Sequence, residues 1–154
     1  MNAHKPVTCH IIGDGASRDT FVMELKKTGA IVVYHGEIYD PDEKQKIFNQ
    51  CSFGLNIMKD SVCVGLTMKS VNYFFAGLPI LNNIKADTTR LVDKYQVGFN
   101  LASEDMDHFA QKIASLGESE LIQMRTNTAE LFASQFALSS YYSKMECVFR
   151  SLRE

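Results

Sequence analysis

The sequence predicts an α/β fold: a doubly wound, Rossmann-like parallel sheet with extra helices towards the carboxyl end of the chain. Short β-rich segments alternate with helical segments of about 10–15 residues. Glycine, proline and aspartate separate these segments, and the last third of the chain has only helical periodicity. Because each crossover between parallel strands needs a helix, we expect helices on both faces of the sheet.

Two strands and two helices are expected in the first third of the chain. In order, they are a strand at 7–12, a helix from Ser17 to Gly29, a strand at 31–34 and a helix from Asp40 to Cys51. Serine and aspartate favour the N-cap, so Ser17 and Asp40 begin the helices, and Pro41 suits the first helical position. Gly29 suits a left-handed residue after a helix.

The rest of the chain supplies three more strands and five helices. In order, these are a strand at 53–57, a helix at 67–76, a strand at 80–84, a helix capped by Asp87, a strand at 97–101, a helix from Ser103 to Gly117, and helices at 119–135 and 138–152. Gly77 ends the helix at 67–76. The apolar residues of the last helix recur at helical spacing and predict a packing surface.

Length and composition limit the class of protein. The chain has 154 residues, of which 45% are hydrophobic, so we expect one domain over 1–154, with residues 1–6 disordered. The net charge is −2 and no basic run exceeds Lys26-Lys27, which argues against a nucleic-acid partner. The four cysteines form no C-x-x-C pair and predict buried free thiols. Neither a signal peptide nor a transmembrane helix is visible, so we expect a cytoplasmic protein.

A glycine pair follows the first strand. Gly13 and Gly15 suggest a dinucleotide fingerprint, but Arg18 stands at the third glycine position and the second strand ends in Tyr34-His35 without an acidic residue. The NAD interpretation is therefore weak. The glycines either let the backbone approach another ligand closely or form a tight turn between strand and helix.

The most informative segment surrounds the helix expected at 67–76. Gly65 precedes it, so the amides of Leu66, Thr67 and Met68 can converge on an anion at the positive end of the helix. Lys69 adds a charge in the first turn, and Asn72 shares its face. A diphosphate with an attached ribose suits this pair. The alternative is a capped amphipathic helix whose lysine and asparagine face water.

Four landmarks in this order resemble a known family. They are Ile12-Gly13-Asp14-Gly15, Val33-Tyr34-His35-Gly36, Met68-Lys69-Ser70-Val71-Asn72-Tyr73 and Ala76-Gly77-Leu78-Pro79-Ile80. The sequence from about residue 7 to 100 resembles the C-terminal half of retaining glycosyltransferases of the GT-B fold. Within that family, it resembles the bacterial group that builds capsular and other exopolysaccharides.

The resemblance implies a donor site for a nucleoside-diphosphate sugar of the UDP or GDP type, with no metal and no other cofactor. It places the following residues in that site: Val64, Gly65, Leu66 and Thr67 at the diphosphate and sugar, Asn72 at the ribose, Gly36, Glu37 and Ile38 at the base, and Gly13 and Gly15 on the phosphate side. The predicted parallel sheet places the loops at 13–17, 35–41 and 58–67 after the carboxyl ends of its strands, so we expect them to share one rim. Lys69 is the candidate for stabilising the leaving diphosphate during catalysis.

The family's two glutamates fall at Val64 and Asn72, and neither residue is acidic here. The first hypothesis is the donor-binding domain of an enzyme that transfers a sugar to a glycan or a lipid-linked acceptor. Such a chain would be inactive without an N-terminal acceptor-binding domain and, at most, peripheral at the inner face of the membrane. The loss of both glutamates favours a second hypothesis, a non-catalytic nucleotide or nucleotide-sugar binding module. The third is a structural interaction domain.

Overall fold

The structure, a computed structural model, describes residues 7–59, 61–101 and 106–152. The strands are β1 (Thr8–Ile11), β2 (Ile31–Tyr34), β3 (Gly54–Asn56), β4 (Ile80–Asn82) and β5 (Gly98–Asn100). The helices are α1 (Arg18–Lys27), α2 (Pro41–Phe48), α3 (Met68–Phe75), α4 (Asp87–Tyr95), α5 (Met106–Ser115), α6 (Glu118–Gln135) and α7 (Leu138–Ser151). The predicted order of strands and helices is confirmed. The disorder expected for residues 1–6 and the helix start expected at Ser103 lie outside the described residues.

The chain forms two compact units, Met1–Cys51 and Ser52–Glu154. In the first unit, β1 and β2 pair in parallel, and Thr8 lies opposite Ile31 at one end of the register. Helix α1 is the crossover between the two strands. This β-α-β arrangement is the one that the alternating pattern predicts, since parallel strands cannot be joined by a tight turn.

The caps of the first unit follow the prediction in part. The Asp40 carboxylate accepts the Glu43 N–H at 2.8 Å and so begins α2 as expected. Ser17 occupies the N-cap position of α1, but its side chain makes no capping hydrogen bond. Gly29 has a φ of +82°, the left-handed conformation expected after α1. Helix α2 ends at Phe48, three residues earlier than predicted.

In the second unit, β3, β4 and β5 form a parallel sheet in that order. Helices α3 and α4 provide the crossovers, and α6 packs against α3. The core consists of the following buried residues: Phe74, Ile80, Val92, Val97 and Leu131. Burying each of these side chains contributes about 1.5–3 kcal/mol, so the sheet and α3 share one apolar core with α6.

The later strands are shorter than predicted, since β3, β4 and β5 each have three residues where five were expected, and the ends of two helices also differ. Asp87 is the first helical residue of α4, and the N-cap is Ala86, which has an unusual φ of 62°. Gly117 stands at the N-cap of α6 and not at the end of the preceding helix, which ends at Ser115. The first helix boundary lies next to a strained residue and the second lies between two helical patterns. In neither place does the pattern of side chains fix the boundary.

Strand β5 approaches β4 very closely at Gly98. This residue has a φ of +142°, and a Cβ built on it would overlap the backbone of Ile80. Only glycine therefore fits at this position.

The last helix keeps much of its apolar surface exposed. Tyr142, Val148 and Phe149 are each at least half exposed, although their spacing predicts a packing surface. No helix of the described residues has the length and apolar character needed to cross a membrane.

Candidate functional site

The N-terminus of α3 forms the candidate anion site of the second unit. Thr67 is the N-cap, and its Oγ1 accepts the Ser70 N–H at 3.1 Å. The N–H groups of Met68 and Lys69 have no acceptor among the described residues. We call residues 65–69 the α3 cradle. Its free donors and the positive end of the helix dipole favour an anion at this point.

The two polar side chains predicted for the donor are both available. Lys69 lies exposed in the first turn of α3, and its amino group has no ion-pair partner among the described residues. Asn72 is exposed one turn later. This geometry suits a ligand that bridges both side chains, as the diphosphate and ribose of a nucleotide do. It equally suits the alternative in which both face water.

The start of the α3 cradle is held by α4. The Gly65 carbonyl accepts two hydrogen bonds from Thr88, one from its N–H at 2.9 Å and one from its hydroxyl at 2.5 Å. A Cβ at Gly65 would lie 2.6 Å from Oδ2 of Asp87. On its other side the loop is anchored by Leu66, which packs against the core, while Val64 is half-buried. The loop is therefore fixed before any ligand arrives.

A row of asparagines lies at the carboxyl ends of the three strands. Asn56, Asn82 and Asn100 are opposite one another in the register. Asn56 donates to Asn82 Oδ1, and Asn82 donates to Asn100 Oδ1, both at 2.8 Å. Asn100 in turn donates to the Asp93 carboxylate on α4 at 2.8 Å. Sequence reasoning missed this row, although each of the three strand segments ends in asparagine.

The asparagine row continues into the α3 cradle. Thr67 donates its hydroxyl hydrogen to Asn56 Oδ1 at 3.1 Å. Because a hydroxyl has only one hydrogen, the 2.8 Å contact between Thr67 and Ser70 must have the Ser70 hydroxyl as donor. Each side chain therefore donates a hydrogen bond to the next, in the order Ser70, Thr67, Asn56, Asn82, Asn100 and Asp93. We call these six side chains the strand-end relay. It ties the N-cap of α3 to all three strands.

The predicted site residues of the first unit lie around the carboxyl ends of β1 and β2. The Gly13 N–H donates to the Gly36 carbonyl at 2.7 Å, so these two predicted residues are brought together. The Gly15 N–H donates to the Asp14 carboxylate at 2.7 Å. Whether these residues and the α3 cradle border a common rim stays a prediction.

Glu37 and Ile38, the residues predicted for the base, follow directly. Glu37 and Tyr39 interact, and the negative charge of Glu37 together with a hydrogen bond raises the pKa of Tyr39. Ile38 is half-buried, whereas Tyr39 is almost fully exposed. An exposed ring beside an apolar side chain provides a surface on which a base can stack.

Two histidines meet next to Gly36. Nδ1 of His10 and Nε2 of His35 are 3.0 Å apart, and the ring planes differ by only 10°. The ring centroids are 5.3 Å apart, a distance that fits two nearly parallel rings joined through a hydrogen bond between their nitrogens. One nitrogen donates and the other accepts. The pair thus joins the ends of β1 and β2.

Arg18, which stands at the third position of the glycine pattern, is paired with two carboxylates. Its guanidinium lies 2.8 Å from Asp19 and 3.3 Å from Asp14. The hydrogen bond to Asp19 and the charges of both carboxylates raise the pKa of Arg18, and the same guanidinium lowers the pKa of Asp19. A phosphate would have to compete with these two carboxylates.

The cysteines and possible metal ligands add no further site. None of the four cysteines forms a disulfide, but Cys63 and Cys147 are exposed, so the prediction of buried thiols is wrong for these two. Among residues 7–59, 61–101 and 106–152, no group of three or more His, Cys, Asp or Glu residues could hold a metal ion.

Comparisons with known proteins identify the fold. No protein-family model matches the chain, and no curated protein matches its sequence. A solved structure that resembles it is a mutant of S. aureus TarM, a GT-B glycosyltransferase, in complex with fondaparinux, alpha-GlcNAc-glycerol and UDP. The TM-score is 0.67 at 16% sequence identity, and the match covers 91% of this chain.

The same match covers 28% of the TarM chain, so this protein spans little more than a quarter of that length. The likeness establishes the fold: a Rossmann-like α/β domain of the glycosyltransferase type with additional C-terminal helices. The predicted fold class is thus confirmed.

Proposed function

We propose that this chain is the donor-binding domain of a glycosyltransferase that uses a nucleoside-diphosphate sugar. The observation that carries the proposal is the α3 cradle, with free N–H donors and an unpaired Lys69, on a fold shared with a glycosyltransferase. The structure of that neighbour includes UDP, which supports a nucleotide as the ligand of this fold.

Each part of the donor has a proposed partner. The amides of Leu66, Thr67 and Met68, with Lys69, bind the diphosphate, and Asn72 binds the ribose. The remaining site residues are Val64 and Gly65 near the sugar, Gly36, Glu37 and Ile38 at the base, and Gly13 and Gly15 on the phosphate side. No metal or other cofactor is needed, because the helix terminus and the lysine supply the positive potential.

The proposed chemistry depends on charge that develops in the transition state. As the bond between the sugar and the diphosphate breaks, negative charge accumulates on the leaving nucleoside diphosphate. Lys69 and the fixed amides of the α3 cradle stabilise that charge more strongly than they stabilise the bound donor. The strand-end relay contributes by fixing the N-cap, because preorganised donors need no reorientation during the reaction.

The acceptor is expected to bind to a separate, N-terminal domain, without which the chain is inactive. This part of the proposal is supported by the extent of the match, which leaves 72% of the TarM chain uncovered. It is supported further by the exposed apolar residues of α7. Transfer to a glycan or a lipid-linked acceptor, a role in capsular or exopolysaccharide synthesis, and a location in the cytoplasm or at the inner face of the membrane stay predictions.

A non-catalytic nucleotide-binding module is the second candidate. It is favoured by Val64 and Asn72, which stand where the resemblance places glutamates. Asn72 can exchange hydrogen bonds with a ribose but has no negative charge. The two candidates differ in whether a nucleotide sugar is consumed. Nuclear magnetic resonance of the chain mixed with UDP-sugars and with an added acceptor domain detects that consumption.

Calorimetric titration with UDP and GDP tests the proposal. We expect Lys69→Ala to weaken nucleoside-diphosphate binding by about 1–2 kcal/mol, the range of a charge-assisted contact, without loss of folding stability. Lys46→Ala removes the same charge from the exposed last turn of α2 and is the matched control. Equal affinities of the two variants would remove Lys69 from the site. A wild-type chain that binds neither nucleotide would contradict the proposed function.

A further inference from the structure

A carboxylate lies beside the anion-binding α3 cradle. Oδ2 of Asp87 is 2.6 Å from the point where a Cβ of Gly65 would be, and the Asp87 side chain is 67% exposed. A negative charge at this place opposes the binding of a phosphate, because like charges at short range repel. Asp87 lies in the first turn of α4, where a carboxylate stabilises the helix, but its position next to Gly65 also affects the α3 cradle.

The backbone holds Asp87 in place on both sides. Ala86 has φ 62° and ψ −116°, a conformation that is costly for any residue with a side chain. Thr88 binds the Gly65 carbonyl through both its N–H and its hydroxyl. Asp87 thus lies between a residue of restricted backbone conformation and a residue that is hydrogen-bonded to Gly65.

The charge of Asp87 is only partly balanced by its neighbours. Nη1 of Arg90 lies 3.8 Å from Oδ1 of Asp87, and both side chains are largely exposed. Such a long, exposed pair contributes little. The carboxylate therefore keeps most of its negative charge uncompensated next to Gly65, at the edge of the α3 cradle.

We propose that Asp87 determines specificity at this site, by favouring an esterified diphosphate over a free nucleoside diphosphate. The inference rests on the proposed function. The terminal phosphate of a free nucleoside diphosphate is substituted at one oxygen only, through the anhydride bond, and carries close to two negative charges at about pH 8. In a nucleotide sugar the same phosphate is also esterified to the sugar and carries one charge. Repulsion by Asp87 therefore disfavours the free diphosphate more than the donor.

This preference has a consequence for turnover. Transfer of the sugar converts the esterified diphosphate into the free one, which is the form that Asp87 disfavours. The product then leaves the site more easily, and a new donor competes better for it. Lys69 binds both forms, while Asp87 distinguishes them.

The experiment compares two probes that differ by one charge and lack the transferable sugar on the terminal phosphate. UDP and its β-methyl ester, or GDP and its ester if GDP is the base that binds, are titrated calorimetrically into the full chain at about pH 8. We expect Asp87→Asn to strengthen binding of the free diphosphate about three- to tenfold more than binding of the ester. At about pH 5.5, where the free diphosphate has lost its extra charge, this difference should largely disappear.

A matched control is Glu130→Gln, which removes one negative charge from the exposed surface of α6. It should leave the ratio of the two affinities unchanged. Equal gains for both probes in Asp87→Asn would overturn the role of Asp87 and leave the donor site intact. If neither probe binds to the wild type or to the variants, the proposed function fails, and the inference about Asp87 fails with it.

Discussion

Replacing Asn56 with alanine tests how strongly the strand-end relay holds the second unit together. The side chain is fully buried and makes two hydrogen bonds, to Thr67 and to Asn82. Each bond contributes about 0.5–1.5 kcal/mol, and Thr67 loses its buried acceptor when the amide is removed. Including the small cavity, we expect Asn56→Ala to lower the free energy of unfolding by about 2–4 kcal/mol.

Urea denaturation followed by circular dichroism measures this loss. Asn127→Ala is the matched control, because Asn127 also makes two hydrogen bonds, with Gln123 and with the Gln96 carbonyl, but at the surface. Water replaces those bonds, so the control should cost less than about 0.5 kcal/mol. A loss below about 1 kcal/mol for Asn56→Ala, or equal losses for both variants, would refute the reasoning that the buried relay is an important source of stability.

Two further predictions concern the backbone and the charges. Gly98→Ala should lower the free energy of unfolding by more than about 4 kcal/mol, because the new Cβ would overlap the Ile80 backbone. Gly15→Ala places its Cβ in open space and should leave the free energy of unfolding almost unchanged in the same urea experiment. Arg18→Ala should raise the pKa of Asp19, seen by carboxyl NMR titration. Since the pKa of Asp19 is lower in the folded than in the unfolded state, the ion pair stabilises the fold near neutral pH, and this stabilisation is lost as the pH falls through the folded pKa. An unchanged titration of Asp19 in the variant would contradict the pairing.

The order of strands and helices could be predicted because it depends on local features. Asp40 caps α2 as the sequence indicates, and Gly29 and Gly77 have the positive φ expected after helices. These features act within a few residues of the chain. They need no knowledge of how distant segments pair.

The features that were missed depend on pairing between distant segments. Asn56 and Asn82 become partners only when β3 and β4 align, 26 positions apart in the chain. Asp87 was expected as a cap, yet it lies against Gly65 because Ala86 has a strained backbone conformation. A single sequence does not show which of its distant residues become neighbours in the folded structure.

The strand-end relay also restricts how the three strands can align during folding. A shift of β4 by one residue would turn Asn82 to the opposite face of the sheet, since side chains alternate along a strand. Asn56, which is fully buried, would then lose the acceptor of its amide hydrogens, and Asn100 would lose the donor to its side-chain oxygen. A buried amide left unpaired costs about 1–3 kcal/mol. The asparagines thus act as an alignment key that rejects misregistered sheets and leaves a single arrangement of strands beneath the α3 cradle.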